Sequence, residues 1–247
     1  MFMNYIDNIG DVIRHSVRNS RKKQKIIDAC DSLIKIREVS IDNIRKGIKE
    51  IENQIEIWKV DGKSGLQDDY REQIELFSTI ADFFKINGRF ALIELDINTA
   101  YKYLYTVKDE YEYRFFARRI YTLIYETKKG LLLPVGKIFK QLESLVDDKC
   151  LVLYKQEHSK LTAFLNAHQD ELKQVRNTNE AHKSEAFGAQ VESIEKFSVA
   201  RSIGIIQEYY QLLSNMNVAF MMIFEGLFVS LGETTHDFFQ KKKSIVH

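Results

Sequence analysis

The sequence predicts an all-α protein, and three observations carry that prediction. Proline and glycine are scarce, at one and eleven in 247 residues, too few for the turns of a β-rich chain. Apolar residues make up 45% of the chain, enough to fill a core. Over most of the length those apolar residues recur at steps of three and four, the period of one helix face.

The clearest such pattern spans residues 21–59. Ile27, Cys30, Ile34, Arg37, Ile41, Ile44, Ile48, Ile51, Ile55 and Trp58 alternate three and four without a break. This is a heptad seam on a rod about 60 Å long at 1.5 Å per residue. Arg37 is its one polar member, and a long stem along the seam with the charge at the edge would accommodate it. Isoleucine at both seam positions disfavours a parallel dimer. The seam is therefore expected to pack within the chain or against an antiparallel partner.

Residues 60–69 hold two glycines and end in two aspartates, which reads as a loop and a capped helix start. Tyr70, Ile74, Phe77, Ala81 and Phe84 then mark a helix that Asn87-Gly88 is expected to stop. Residues 1–87 thus read as a long helical hairpin or coiled-coil-like arm, and residues 88–247 as a helical bundle.

The bundle begins with residues 89–129, expected to stay helical and dense in tyrosine. Aromatic side chains near Arg114, Arg118 and Arg119 suit RNA stacking. The stronger reading is a core face of Phe116, Ile120, Leu123 and Ile124, with tyrosines at its rim. Pro134 suits the first turn of the next helix. Asp147-Asp148 reads as a break. One helix, starting at 151 or 159, should run to about 181, with Leu161, Phe164, Leu165, His168, Leu172 and Val175 inward. A polar loop at 183–192 and a last helix over 193–231 follow, the latter with a seam from Val199 through Ile206, Leu213 and Phe220 to Leu231. The basic tail, 240–247, is expected to fray.

Several classes of function lose support at this level. The formal net charge is +1, from 36 Lys and Arg against 35 Asp and Glu, which makes no electrostatic case for tight duplex DNA binding. The most apolar window, 218–231, is short of the roughly 20 residues of a membrane span and contains Glu225. The N-terminal segment lacks the pattern of a signal peptide. With only Cys30 and Cys150, no disulfide scaffold is indicated. A cytoplasmic protein without a membrane segment is expected. No glycine-rich phosphate loop, CxxC, HExxH or Gly-x-Ser-x-Gly occurs. One Glu-x-x-His occurs, Glu233 to His236, whereas a di-iron bundle needs two such motifs plus further carboxylates on facing helices. No cofactor and no metal are expected.

One constellation stands apart: Leu172-Lys-Gln-Val-Arg176-Asn177-Thr-Asn-Glu-Ala181-His182. An arginine is followed by a polar residue, four further residues and a histidine, with apolar Leu172, Val175 and Ala181 around them. The segment resembles the Arg-polar-x(4–6)-His signature of the HEPN superfamily, and the resemblance covers roughly residues 89–231. It implies an all-α bundle of HEPN type and metal-independent cleavage of RNA, as in toxins and phage-defence effectors. It also implies a homodimer that gathers two motifs in one cleft, and an antitoxin or nucleotidyltransferase as partner. In that reading Arg176 and His182 are catalytic, and Asn177 orients the phosphate or 2′-hydroxyl. An acidic residue from a neighbouring helix supports the site, and Glu126 is the candidate.

The residue types suit that chemistry. A guanidinium keeps its charge and offers a fork of donors to a phosphate. An imidazole accepts and donates protons near neutral pH. Six positions apart, the two side chains point about 120° away from each other on one regular helix. They converge only if the helix ends between them or two copies meet. The competing expectation is a catalytically silent helical scaffold that oligomerises through its heptad seams.

Overall fold

A computed structural model describes residues 20–62, 67–107, 109–143, 145–180, 192, 194–195 and 197–245, with 228–245 and a few helix-end positions described by backbone alone. Among these residues there is helix and no strand. Seven α-helices follow in order: α1 (Ser20–Gly62), α2 (Gln67–Leu104), α3 (Glu110–Thr127), α4 (Leu133–Leu142), α5 (Asp148–Ala167), α6 (Gln169–Glu180) and α7 (Val199–Ile245). A π-helical segment, Lys128–Leu132, joins α3 to α4.

The heptad seam of α1 faces α2 of the same chain. The two helices run in opposite directions: Asp31 meets Lys102 at 2.6 Å, and Glu52 meets Lys85 at 3.0 Å. At the far end Trp58 lies edge-on to Phe77, with centroids 4.7 Å apart. Every seam residue from Ile27 to Trp58 is buried or half-buried, while the opposite face carries solvated pairs such as Asp42 and Lys46.

Two sequence expectations change here. Asn87-Gly88 does not stop the helix, because α2 continues to Leu104. A β-carbon at Gly88 would sit 3.4 Å from Ile44 Cγ2 on α1. That is ordinary contact distance, so the helix carries Gly88 through its packed face at a propensity cost of about 1 kcal/mol. One core accordingly contains Phe84 from before that position and Phe90 from after it. Arg37, in turn, does not hold its charge at the edge. Its side chain is only 14% exposed, and Nε lies 2.6 Å from Oε2 of Glu94, itself 9% exposed.

Between Arg89 and Lys129 the expected continuous helix breaks after Leu104. Asp109, with an extended backbone, accepts the Glu112 N–H at 2.8 Å and caps α3. Asp109 and Glu112 have the spacing of an N-terminal capping pair. The π segment widens the helix for one turn before Pro134 opens α4, where a missing N–H costs nothing. Asp147 accepts the Lys149 N–H at 2.7 Å and caps α5. The single helix expected up to 181 is two, separated at half-buried His168, whose N–H still bonds to the Phe164 carbonyl. The last helix is longer than its seam suggests and reaches Ile245, taking in the lysines at 241–243. His182 and residues 183–191 of the expected loop lie outside the described residues, and Glu192, its last position, is helical.

The core forms where α7 lies across α2, α3 and α5. Phe220 touches Phe83, Phe90 and Tyr154, with centroids 5.6, 5.1 and 5.5 Å away. Ile120, Tyr121 and Ile124 of α3 are fully buried, in keeping with the core reading of that face. Two buried hydroxyls pair with each other: those of Tyr209 and Thr127 lie 2.6 Å apart. The Tyr210 hydroxyl donates to Asn98 Oδ1, and Asn98 Nδ2 donates to the Glu94 carbonyl at 2.8 Å. No described helix is long and apolar enough to cross a membrane.

Candidate functional site around Arg176

The candidate residues sit where α6 packs on α3. Amphipathic α6 turns Leu172 and Val175 into the core, at 1% and 7% exposure. The next residue, Arg176, thereby falls at the boundary of core and solvent, with its side chain 31% exposed. Its Nε donates to Glu126 Oε1 across 3.2 Å, and its guanidinium carbon lies 5.8 Å from the centre of the Tyr125 ring. The structure therefore brings Arg176 and Glu126 together from two helices. Asn177 is exposed. Helix α6 is described to Glu180, two positions before His182, which lies outside the described residues.

Charged side chains frame this pair. Arg118 is buried, and its Nη2 donates to Thr178 Oγ1 at 3.1 Å on the last turns of α6. Burial lowers its pKa from the usual arginine value. Arg114 is bridged to Glu110 and donates from Nη1 to the Ile194 carbonyl at 3.0 Å. Glu171 receives Arg201 from α7 through Nε at 2.9 Å and Nη2 at 2.8 Å. The buried Tyr121 hydroxyl also donates to Glu171, at 3.3 Å. Burial first, and the Glu171 charge next, push the Tyr121 pKa upward, so the phenol stays a donor. These contacts fix the orientation of α6 on α3 and α7, and with it the direction in which Arg176 leaves the surface.

Sequence reasoning missed Arg118, Thr178, Glu171 and Arg201 as parts of this frame. A signal existed for two arginines. Arg114 and Arg118 are four apart and interleave with Ala117 and Tyr121, which places them on the covered side of α3 rather than in solvent. Nothing in the linear pattern joins Glu171 to Arg201, thirty positions away.

At the turn between α2 and α3, Tyr103 stacks on Phe116 at 4.9 Å and 13°. With exposed Tyr111 and Phe115 these rings border an open cleft of about 450 Å³. Among the described residues no group of three His, Cys, Asp or Glu side chains could hold a metal ion. The burial of Cys30, chiefly, raises its thiol pKa, and it serves as a packing residue of the α1 seam. The chain matches no family model, no curated protein and no solved structure.

Proposed function

We propose that the chain is a metal-independent endoribonuclease of HEPN type, acting as a dimer, with Arg176 binding the scissile phosphate and His182 moving protons. The observation that carries this reading is the Arg176–Glu126 pair. The first residue of the motif is held by a carboxylate from another helix at the boundary of core and solvent, with its side chain 31% exposed. An arginine so placed is oriented from a neighbouring helix, and the planar fork of a guanidinium matches the oxygens of a phosphate. Asn177, exposed beside it, is available to the 2′-hydroxyl or a phosphate oxygen.

The reaction needs no external reactant. The RNA 2′-oxygen attacks phosphorus, and His182 accepts the 2′-hydroxyl proton. The bond from phosphorus to the 5′-oxygen breaks, and the leaving oxygen takes up a proton. The products are a cyclic 2′,3′-phosphate and a 5′-hydroxyl end, and DNA is not cut because it lacks the attacking group. Arg176 offsets the charge that builds on the phosphoryl oxygens. A role as a toxin or defence effector, with an antitoxin or nucleotidyltransferase as partner, belongs to the same proposal.

Purified chain should cut RNA in the presence of a chelator. His182→Ala and Arg176→Ala should each reduce cleavage by about 100-fold or more. Cleavage by both variants at the rate of the parent chain would overturn the reading.

A second reading, a silent helical scaffold, draws on one observation: Ile36, Val39, Ile57 and Val60 of α1 are all more than half exposed. Exposed apolar residues of this size, in the middle and at the C-terminal end of a long helix, suit a protein partner. In that case Ile36→Lys with Val39→Lys abolishes an assembly seen by light scattering, and no RNA is cut.

A further inference from the structure

We propose that the aromatic cleft between α2 and α3 binds an alkylated ammonium group. Tyr103, Tyr111 and Phe115 are 46%, 67% and 61% exposed, and all three border this one hollow. Scattered singly, exposed apolar residues are ordinary; gathered around one cleft they mark a contact site. Phe116 completes the wall. Tyr103 belongs to the last turn of α2 and the other three rings to the start of α3, so the turn between the helices brings them together.

Ring geometry selects the shape of the occupant. Tyr103 and Phe116 stack nearly parallel, at 4.9 Å and 13°, so each covers one face of the other. Phe115 stands almost at a right angle to Phe116, at 5.3 Å and 85°. A flat nucleobase stacks along one plane, whereas walls in two planes meet a rounded, tetrahedral group from two sides.

The lining selects the sign of the charge. The face of an aromatic ring is electron-rich. Glu112 is the one charged side chain among the described residues that line the cleft, and none of them is basic. The positive start of α3 is offset by Asp109, which accepts the Glu112 N–H, and by Glu110 and Glu112 in the first turn. Of the nearby cations, Arg114 is turned to Glu110 and the Ile194 carbonyl, and Arg118 to Thr178. Phosphate is disfavoured here, which makes RNA the weaker occupant. A bare metal ion would find one carboxylate and no further charged ligand. An alkylated ammonium carries the right charge and also gains by taking its methyl surface out of water. At about 450 Å³ the cleft has room for such a group and part of the body that bears it. Neither Arg176 nor Glu126 borders the cleft, so this site stands apart from the proposed nuclease.

Titration of the full chain with choline, followed through the NMR shifts of the ring protons, tests the proposal. Dimethylbutanol, the neutral carbon isostere of choline, should bind at least about tenfold more weakly. Phe115→Leu should weaken choline by roughly tenfold and Glu112→Gln by about threefold. Both variants should keep the urea midpoint of the parent chain, since both side chains are exposed. A peptide bearing trimethyllysine that binds more tightly than choline places the group on a protein, and the reverse order places it on a small molecule. Equal binding of choline and its isostere would reduce the site to a plain apolar cleft and overturn the proposal. So would choline binding that Phe115→Leu leaves unchanged, or an oligouridylate that displaces choline from the parent chain.

Discussion

Three arginine–glutamate pairs cross between the described helices, and two of them, Arg37–Glu94 and Arg176–Glu126, do opposite work. Arg37 and Glu94 tie α1 to α2 inside a packed seam, with both side chains nearly sealed from solvent. Arg176 and Glu126 tie α6 to α3 at the surface, about a third and about half exposed. Water decides the difference. Burying a charge is costly, so the inner pair contributes little net stability while intact but penalises any change to one member alone. It enforces one register of α1 on α2. The outer pair costs little to form and little to break, and the proposed function has a phosphate compete for Arg176. The same two residue types give a sealed lock in one place and a solvated, loosely held pair in the other.

The largest effect expected from this contrast is in Arg37→Ala. Leaving Glu94 buried without its guanidinium should cost about 3–5 kcal/mol, read as a fall in the urea midpoint. Replacing both residues by leucine should return most of that loss. If the single variant costs less than about 1 kcal/mol, the pair is not a lock.

Proton linkage sharpens the point. Burial, opposed by Arg37, pushes the Glu94 carboxyl up to about 7 from an ordinary 4.5. A raised folded pKa means that the folded state holds the proton more tightly than the unfolded chain. The resulting stabilisation is fully present below about pH 4.5 and is lost as pH rises through about 7. Unfolding followed at about pH 5 and about pH 8 should show this decline, and Glu94→Gln should flatten it. An identical pH profile in Glu94→Gln would assign the decline to another group.

A smaller effect belongs to the frame around the outer pair. Tyr121→Phe removes a buried donor to Glu171 and should cost about 1 kcal/mol, with RNA cleavage reduced only in proportion to the folded fraction. Smallest is Arg176→Ala itself, at under about 1 kcal/mol of stability, since its ion pair is solvated. Loss of cleavage with an unchanged denaturation midpoint would separate chemistry from folding. A midpoint shift as large as that of Arg37→Ala would erase the distinction between the two pairs.

Helix identity and most core faces were legible in the residues, because burial imposes a period that a linear pattern preserves. The Ile-rich seam of α1, the Ile120–Ile124 face of α3 and the Ile206–Leu213–Phe220 face of α7 all read correctly for that reason. Glu126 was named beside Arg176 on the strength of a family resemblance, and their 3.2 Å contact emerged only in three dimensions. Breaks were harder. Asn87-Gly88 looked like a stop because glycine disfavours helix in isolation. Packing of α2 into the core on both sides of Gly88 outweighs that preference. His168 looked like a core position, since a short break between two helices leaves the apolar period almost unchanged.

By itself, then, the sequence determined that this chain is helical, which faces are apolar, and that one arginine stands beside a core-facing turn. Periodic burial is a local property and needs no knowledge of neighbours. Only the tertiary structure decided which charges are sealed and which are open. Whether an arginine meets water, a carboxylate or both depends on helices that are remote in the chain and adjacent in space.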